Sequence, residues 1–155
     1  MVSKRLPDVI LSPFPLSYAM VEAQQGEASR LVVGLGIDLV ELSRVRRSLE
    51  QWGDRLLAKI MSPSEIARLP PAGPLRVEAV ALAIAGKEAA AKAIGTGWSR
   101  GVFWRDVEVV LGSELRIRLH GQAMEAARHL GSRGECRLGL ETQAGLAVGE
   151  VHLLA

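Results

Sequence analysis

Cysteine is nearly absent from this chain, with Cys136 the only one among 155 residues. A single cysteine excludes an intrachain disulfide and a zinc site built from cysteines, and it suits a reducing compartment such as the cytoplasm. Aromatic residues make up only 4% of the chain, and no apolar run approaches the roughly 20 residues that span a bilayer. Neither sign of charge dominates, since 19 Lys and Arg residues stand against 17 Asp and Glu. A strongly basic surface for nucleic acid or membranes is therefore not built into the whole chain.

What remains is the composition of an ordinary globular domain, with 48% apolar and 23% charged residues. The length suits one domain with its own core. Residues 1–30 show neither helical nor strand periodicity, and a dense apolar stretch begins at Leu31. Lys4 and Arg5 precede an apolar segment as in a signal peptide, but two prolines interrupt that segment. We therefore expect a loosely ordered N-terminal extension over 1–30 and a domain over 31–155.

Hydrophobic periodicity and turn signals predict the elements of that domain. In chain order they are a buried strand over Leu31–Val40, an amphipathic helix over Glu41–Lys59 with Ser43 as its N-cap, a short helix beginning at Ser62, a long helix over Glu78–Ile94, a hairpin of Val107–Leu111 with Leu115–Leu119 around Gly112 and Ser113, a short helix over Gln122–Leu130, and a hairpin of Cys136–Leu140 with Leu146–Leu154. The predicted fold class is α+β, with a mostly antiparallel sheet packed against the long alanine-rich helix.

Asp38 is the most conspicuous polar residue, because a carboxylate inside an apolar strand is costly unless it is paired or binds a cation. Glu88 and Lys92 lie one turn apart in the alanine-rich helix. They could form a surface ion pair, with Gly95 and Gly97 ending the helix. The alternative is that Asp38 and Glu88 together hold a divalent cation such as Mg²⁺ while the lysine faces phosphate.

Two segments carry a resemblance to a known family. Gly34–Leu42 has the sequence GLGIDLVEL, and Gly86–Gly97 has the sequence GKEAAAKAIGTG. Together they resemble the signature motifs of the holo-(acyl-carrier-protein) synthase type of 4'-phosphopantetheinyl transferase. The intervening segment Arg55–Glu65 is also similar to that family, and the resemblance continues to about Val151.

The resemblance implies Mg²⁺-dependent transfer of the phosphopantetheine arm of coenzyme A to a serine of an apo acyl carrier protein. It assigns Asp38 and Glu88 to the metal and Lys92 to the phosphates, and it places Gly95 and Gly97 at the coenzyme. Such a reaction depends mainly on positioning and on neutralising oxygen charge.

The resemblance also implies partners. Arg44 and Arg47 match the basic helix with which the family docks the acidic carrier protein, although a solvated helix face would explain the same arginines without it. Members commonly form trimers with active sites between subunits, and we expect a homo-trimer here. Family chains open on their first strand, so the 1–30 extension could also be a start-site artefact.

Two departures from the family pattern leave a second function open. The family usually has an arginine and a phenylalanine just before the KE pair, but the corresponding stretch here is Ala83–Gly86, and the usual late serine–histidine pair is missing from Arg137–Thr142. The three histidines, His120, His129 and His152, are expected to be structural or superficial. The alternative to an enzyme is therefore a catalytically degenerate subunit that keeps the fold and the carrier-binding surface.

Overall fold

In the part of the chain that the structure describes, five strands form two antiparallel sheets around one long helix. The computed structural model describes residues 30–112 and 115–155, so the predicted N-terminal extension, apart from Arg30, and Ser113 of the first predicted turn lie outside the described residues. The strands are β1 (Val32–Glu41), β2 (Val107–Val110), β3 (Arg116–Leu119), β4 (Cys136–Gln143) and β5 (Leu146–Leu154). The helices are α1 (Leu42–Trp52), α2 (Asp54–Ile60), α3 (Pro63–Arg68), α4 (Pro74–Ala93) and α5 (Gly121–His129). Within this part of the chain, no helix is both long enough and apolar enough to cross a bilayer.

The larger sheet has the strand order β1-β5-β4, and β2 pairs with β3 in the smaller one. All the pairings are antiparallel, and both predicted hairpin pairings are present. The predicted α+β class is therefore confirmed. Asp38 of β1 stands opposite Gly149 of β5, which in turn stands opposite Leu140 of β4.

Helix α4 covers one face of the larger sheet at very short range. A β-carbon built at Gly36 would lie 1.9 Å from the carbonyl oxygen of Ala89, and one at Gly149 would lie 2.5 Å from that of Ala85. Only glycine allows the two backbones to approach this closely. The predicted close approach at Gly34 and Gly36 is therefore present, and small residues bring the helix onto the strands.

The opposite face of β1 is exposed, so the prediction of a fully buried strand is wrong. Leu35, Ile37 and Leu39 are 57%, 47% and 61% exposed. The apolar run around Asp38 predicted a buried strand, but β1 is an edge strand whose sheet is covered by α4 on one side only.

The predicted helix over Glu41–Lys59 is two helices. Gly53 adopts φ 48° and ψ −129°, outside the helical region, and separates α1 from α2. Ser43 is not the N-cap, since α1 follows Glu41 directly and has no side-chain cap. By contrast, Ser62 caps α3 in the predicted reciprocal arrangement with Glu65.

Helix α4 begins earlier than predicted. It starts at Pro74 rather than Glu78, with proline in its first turn, where the missing N–H costs nothing. Its C-terminal end at Ala93 agrees with the prediction to within a residue. Eleven of its residues are buried, most of them alanine, which makes it the central packing element of the fold.

Candidate active site

Asp38 is compensated by a lysine from α4. The Nζ atom of Lys92 lies 2.7 Å from Oδ1 of Asp38 and donates a second hydrogen bond, of 2.8 Å, to the carbonyl oxygen of Ile37. The Asp38 side chain is 19% exposed and that of Lys92 is 52% exposed. The carboxylate inside the apolar strand is thus paired and still reachable from solvent.

Glu88 lies one turn before Lys92 on the same side of α4. Ile84, Glu88 and Lys92 are the less buried positions along the second half of the helix, spaced four residues apart. Across the described part of the chain, no hydrogen bond or ion pair connects the Glu88 carboxylate to another residue, and Lys92 pairs with Asp38 instead. The surface pair between Glu88 and Lys92, one of the two alternatives from the sequence, is therefore not formed.

These two carboxylates suit a hard divalent cation. Magnesium in phosphate-transferring sites is commonly held by one or two carboxylates, with substrate phosphates and water completing six oxygens. No group of three or more Asp, Glu, His or Cys residues able to hold a metal occurs among the described residues. Asp38 and Glu88 carry carboxylate oxygens, the donor type that such a cation takes, on the strand and the helix that Lys92 joins.

Gly95 and Gly97 follow the last turn of α4 with φ angles of 74° and 54°. Their N–H groups donate to the carbonyl oxygens of Lys92 and Ala91. This C-terminal cap explains why both are glycine. A β-carbon at either position would meet nothing within 4 Å, so the backbone here is also open to an approaching molecule.

Arg44 and Arg47 lie on the exposed side of α1, which starts immediately after β1. They are one turn apart, while Val45 between them is buried and anchors the helix. The basic surface and Asp38 are thus carried by consecutive elements of the chain.

The histidines lie elsewhere, as expected. His120 contacts the carboxylate of Glu108 at 3.3 Å, and His129 lies in the last turn of α5. His152 contacts Glu150 at 2.6 Å, on the sheet face turned away from α4. At the end of β4, in the stretch that lacks the family histidine, Thr142 instead donates a 2.5 Å hydrogen bond to Glu78.

A nearby open groove is separate from these residues. It encloses about 560 Å³ between α1, α2 and the start of α4, and Arg46, Leu49 and Val77 are among its lining residues. The residues that line the groove do not include Asp38, Glu88 or Lys92. This groove is therefore not part of the candidate site.

Sequence reasoning missed a buried charged cluster beside the site. Lys87, next to Glu88, is 0% exposed, and its Nζ lies 2.8 Å from Oε1 of Glu65. Burial lowers the pKa of Lys87, and the Glu65 carboxylate opposes that shift. Glu108 is also buried, and a 2.6 Å hydrogen bond from Ser64 lowers the pKa of its carboxyl. The only sequence signal was a lysine on an alanine-rich helix.

Comparison with known proteins identifies the family. Residues 34–142 match the model of the 4'-phosphopantetheinyl transferase superfamily. The chain is 42% identical over 127 residues to the holo-[acyl-carrier-protein] synthase of Desulfovibrio desulfuricans, with 81% of this chain and 99% of the relative covered. It is 37% identical over 126 residues to that of Solibacter usitatus, with 80% and 98% covered.

Solved structures show the same fold. The holo-[acyl-carrier-protein] synthase of Neisseria meningitidis superposes with a TM-score of 0.67 at 26% identity, covering 81% of this chain and 99% of the other. That of Bacillus anthracis, in complex with CoA (3',5'-ADP), gives a TM-score of 0.62 at 27% identity, with 82% and 99% covered. The resemblance seen in the motifs is confirmed. The chain belongs to the 4'-phosphopantetheinyl transferase superfamily, as an enzyme of the holo-[acyl-carrier-protein] synthase type.

Proposed function

We propose that the protein transfers the 4'-phosphopantetheine arm of coenzyme A to a serine of an apo acyl carrier protein in a Mg²⁺-dependent reaction. The observation that supports this most is the contact between Lys92 and Asp38, one turn of α4 after Glu88, in a chain of this family. Coenzyme A as co-substrate is supported by the related Bacillus anthracis structure, which is described in complex with it.

The proposed reaction is an in-line displacement at phosphorus. The serine oxygen forms a bond to the phosphorus that carries the pantetheine arm, and the bond from that phosphorus to the bridging oxygen breaks. Adenosine 3',5'-bisphosphate leaves with the electron pair, and the serine proton passes to water. A bound Mg²⁺ would neutralise charge on the diphosphate oxygens.

The chain's own residues would orient the diphosphate. Asp38 and Glu88 would hold the cation, and Lys92 would donate to a phosphate oxygen. Since the Lys92 side chain is half exposed, its ammonium group can turn from Asp38 towards a phosphate without unfolding the helix. Gly95 and Gly97 would let the coenzyme approach the backbone at the end of α4, where both positions are open.

The partner would dock on α1. Arg44 and Arg47 present two exposed cations one turn apart, which suits an acidic helix of a carrier protein by electrostatic steering. We place the reaction in the cytoplasm, because the lone cysteine suits a reducing compartment.

The sheet face turned away from α4 supports a homo-trimer with sites between subunits. Leu35, Ile37 and Leu39 form an exposed apolar row on an edge strand, and rows of this kind usually mark a protein interface. Size-exclusion chromatography with light scattering should give three chains per particle. Ile37→Lys should give monomers while the control Leu130→Lys, a change at another exposed leucine, stays trimeric. A monomeric wild type would contradict this part of the proposal.

The transfer is tested by intact-mass spectrometry of an apo acyl carrier protein incubated with the protein, coenzyme A and Mg²⁺. A gain of one phosphopantetheine group, abolished by EDTA, is the expected result. No gain across several carrier proteins, from a folded sample that still binds them, would instead support the degenerate carrier-binding subunit.

A further inference from the structure

Lys87 occupies a position where an uncharged residue would be expected. It lies among alanines on the buried face of α4, its side chain is 0% exposed, and it is the largest fully buried side chain among the described residues. Lysine is almost never fully buried unless it is paired. Its place immediately before Glu88 connects this buried charge to the candidate site.

Three acceptors surround the Lys87 ammonium group. It donates to Oε2 of Glu65 at 3.0 Å, to the carbonyl oxygen of Trp104 at 3.1 Å, and to that of Val107. These acceptors belong to α3, to the turn before β2, and to the start of β2. An ammonium group has three donors, so all of them are used.

Glu65 is itself held firmly. Its carboxylate accepts a 2.7 Å hydrogen bond from the N–H of Ser62 and a 2.9 Å hydrogen bond from the N–H of Val109. Its side chain is only 2% exposed. Lys87 is therefore tied to a fixed point that joins α3 to β2.

Outside Lys87, part-exposed hydrogen bonds tie α4 to the larger sheet, from Thr142 of β4 to Glu78 and from Lys92 to Asp38 of β1. Towards the sheet the helix presents Ala85, Ala89 and Ala93 to the glycines of β1 and β5. Alanine and glycine have no side chains that interlock as ridges and grooves do. Close contact fixes the distance between helix and sheet, whereas a directional hydrogen-bonding group is needed to fix the position of the helix along and around its axis.

We infer that Lys87 is a positioning residue, which sets the axial and rotational position of α4 and so places Glu88 and Lys92 against Asp38. This inference rests on the proposed function, because it concerns the same metal and phosphate site. A buried ion pair is a weak source of net stability, but it can specify one register over others.

The test uses variants that distinguish an effect on the position of α4 from an effect on the stability of the protein. Lys87→Met removes the ammonium group and leaves Glu65 buried without its partner, so it should unfold at a lower temperature. The double variant Lys87→Met/Glu65→Gln removes both charges and should recover part of that loss. Glu65→Gln alone keeps Lys87 and an oxygen for the Val109 N–H, but its amide nitrogen faces the Ser62 N–H and Lys87, so it should also unfold at a lower temperature. Leu119→Ala, a cavity at a 4% exposed residue of β3, is the destabilised control away from α4.

The readout is Mn²⁺ affinity, measured by electron paramagnetic resonance with coenzyme A present and no carrier protein. The double variant should bind Mn²⁺ about tenfold more weakly than wild type, the size of effect seen for groups that orient metal ligands. Glu65→Gln should show a smaller loss in the same direction, and Leu119→Ala should keep wild-type affinity despite its lower unfolding temperature.

Two outcomes would overturn the inference in distinguishable ways. If wild type binds Mn²⁺ and the folded double variant and Glu65→Gln bind it equally well, Lys87 is structural only and the proposed function stands. If wild type itself binds no Mn²⁺ with coenzyme A present, the proposed metal site fails and the positioning role fails with it.

Discussion

Replacing Gly36 with alanine would put a methyl group where the backbone of α4 already lies. Its β-carbon would stand 1.9 Å from the carbonyl oxygen of Ala89 and 2.8 Å from the N–H nitrogen of Ala93. Ordinary contacts start near 3.4 Å, so the helix would have to retreat by about 1.5 Å. The obstacle is backbone rather than a flexible side chain, so no rotamer change can relieve it.

The expected cost of Gly36→Ala is therefore about 3 kcal/mol or more, at the upper end of the range for an overpacked core. That corresponds to a fall of roughly 10 °C in Tm for a domain of this size. A retreat of α4 would also move Glu88 and Lys92 away from Asp38. Misplacement of a reacting group by about 1 Å can cost on the order of 100-fold in rate, so transfer per folded molecule should fall by about that factor.

Gly139→Ala is the matched control. It lies in β4, and its nearest neighbour would be Cβ of Glu150 at 3.8 Å, an ordinary contact. Since alanine restricts the unfolded chain, Gly139→Ala should be neutral or stabilising by about 0.5–1 kcal/mol. Thermal and urea unfolding of both variants measure the difference. Equal stability of Gly36→Ala and Gly139→Ala would refute the close contact between α4 and β1.

Three further predictions concern single groups. Burial raises the pKa of the Cys136 thiol to about 11, so at pH 8 it should react with Ellman's reagent at least about tenfold more slowly in the folded protein than in urea; equal rates would contradict its burial. The Ser64 hydrogen bond lowers the Glu108 pKa, so its stabilisation is present above about pH 4.3 and is lost as the pH falls through the folded-state pKa. Ser64→Ala should accordingly cost about 1–2 kcal/mol at pH 7 and less at pH 3, and a cost that does not change with pH would rule out the link. Lys92→Met should weaken coenzyme A binding about tenfold in calorimetry through loss of one charge-assisted hydrogen bond, whereas unchanged affinity would remove Lys92 from the phosphate site.

The local patterns of the sequence were sufficient to predict most of the helices and strands. Alternating residues in the two hairpins, the capping arrangement at Ser62 and the glycine at the end of α4 are short-range signals, and each is reproduced in the structure. The break at Gly53 was not predicted, because one glycine inside a helical pattern costs only about 1 kcal/mol and is often tolerated. Here the residue leaves the helical region altogether.

Features that depend on contacts between distant parts of the chain could be seen only in the folded structure. The apolar run of β1 indicates burial equally well on one face or two, and only the sheet order shows that Leu35, Ile37 and Leu39 are left exposed. Motif resemblance singled out the residues Asp38, Glu88 and Lys92. Which carboxylate Lys92 pairs with depends on how α4 crosses β1, and spacing along the chain carries no information on that.

The burial of Lys87 is another feature that could not be predicted from its neighbours in the sequence. Lysine is among the residues least often buried, and its neighbours in sequence are mostly alanines that are equally common on surfaces. The groups that hold it, Glu65 and the carbonyl oxygens of Trp104 and Val107, lie 17 to 22 residues away along the chain. Its burial follows from tertiary structure and has no local signal.

The assignment of Glu88 to the active site is tested most directly by the rate of phosphopantetheine transfer. This rate is measured for Glu88→Gln and compared with those of wild type and Glu78→Gln. Both glutamates lie on α4, and both changes keep the shape of the side chain; at position 78 the amide oxygen can still accept the hydrogen bond from Thr142. We expect Glu88→Gln to stay folded and to lose transfer by about 100-fold or more, because a metal-binding carboxylate is lost, while Glu78→Gln remains near wild type. Equal rates for the two variants would contradict the assignment of Glu88 to the site.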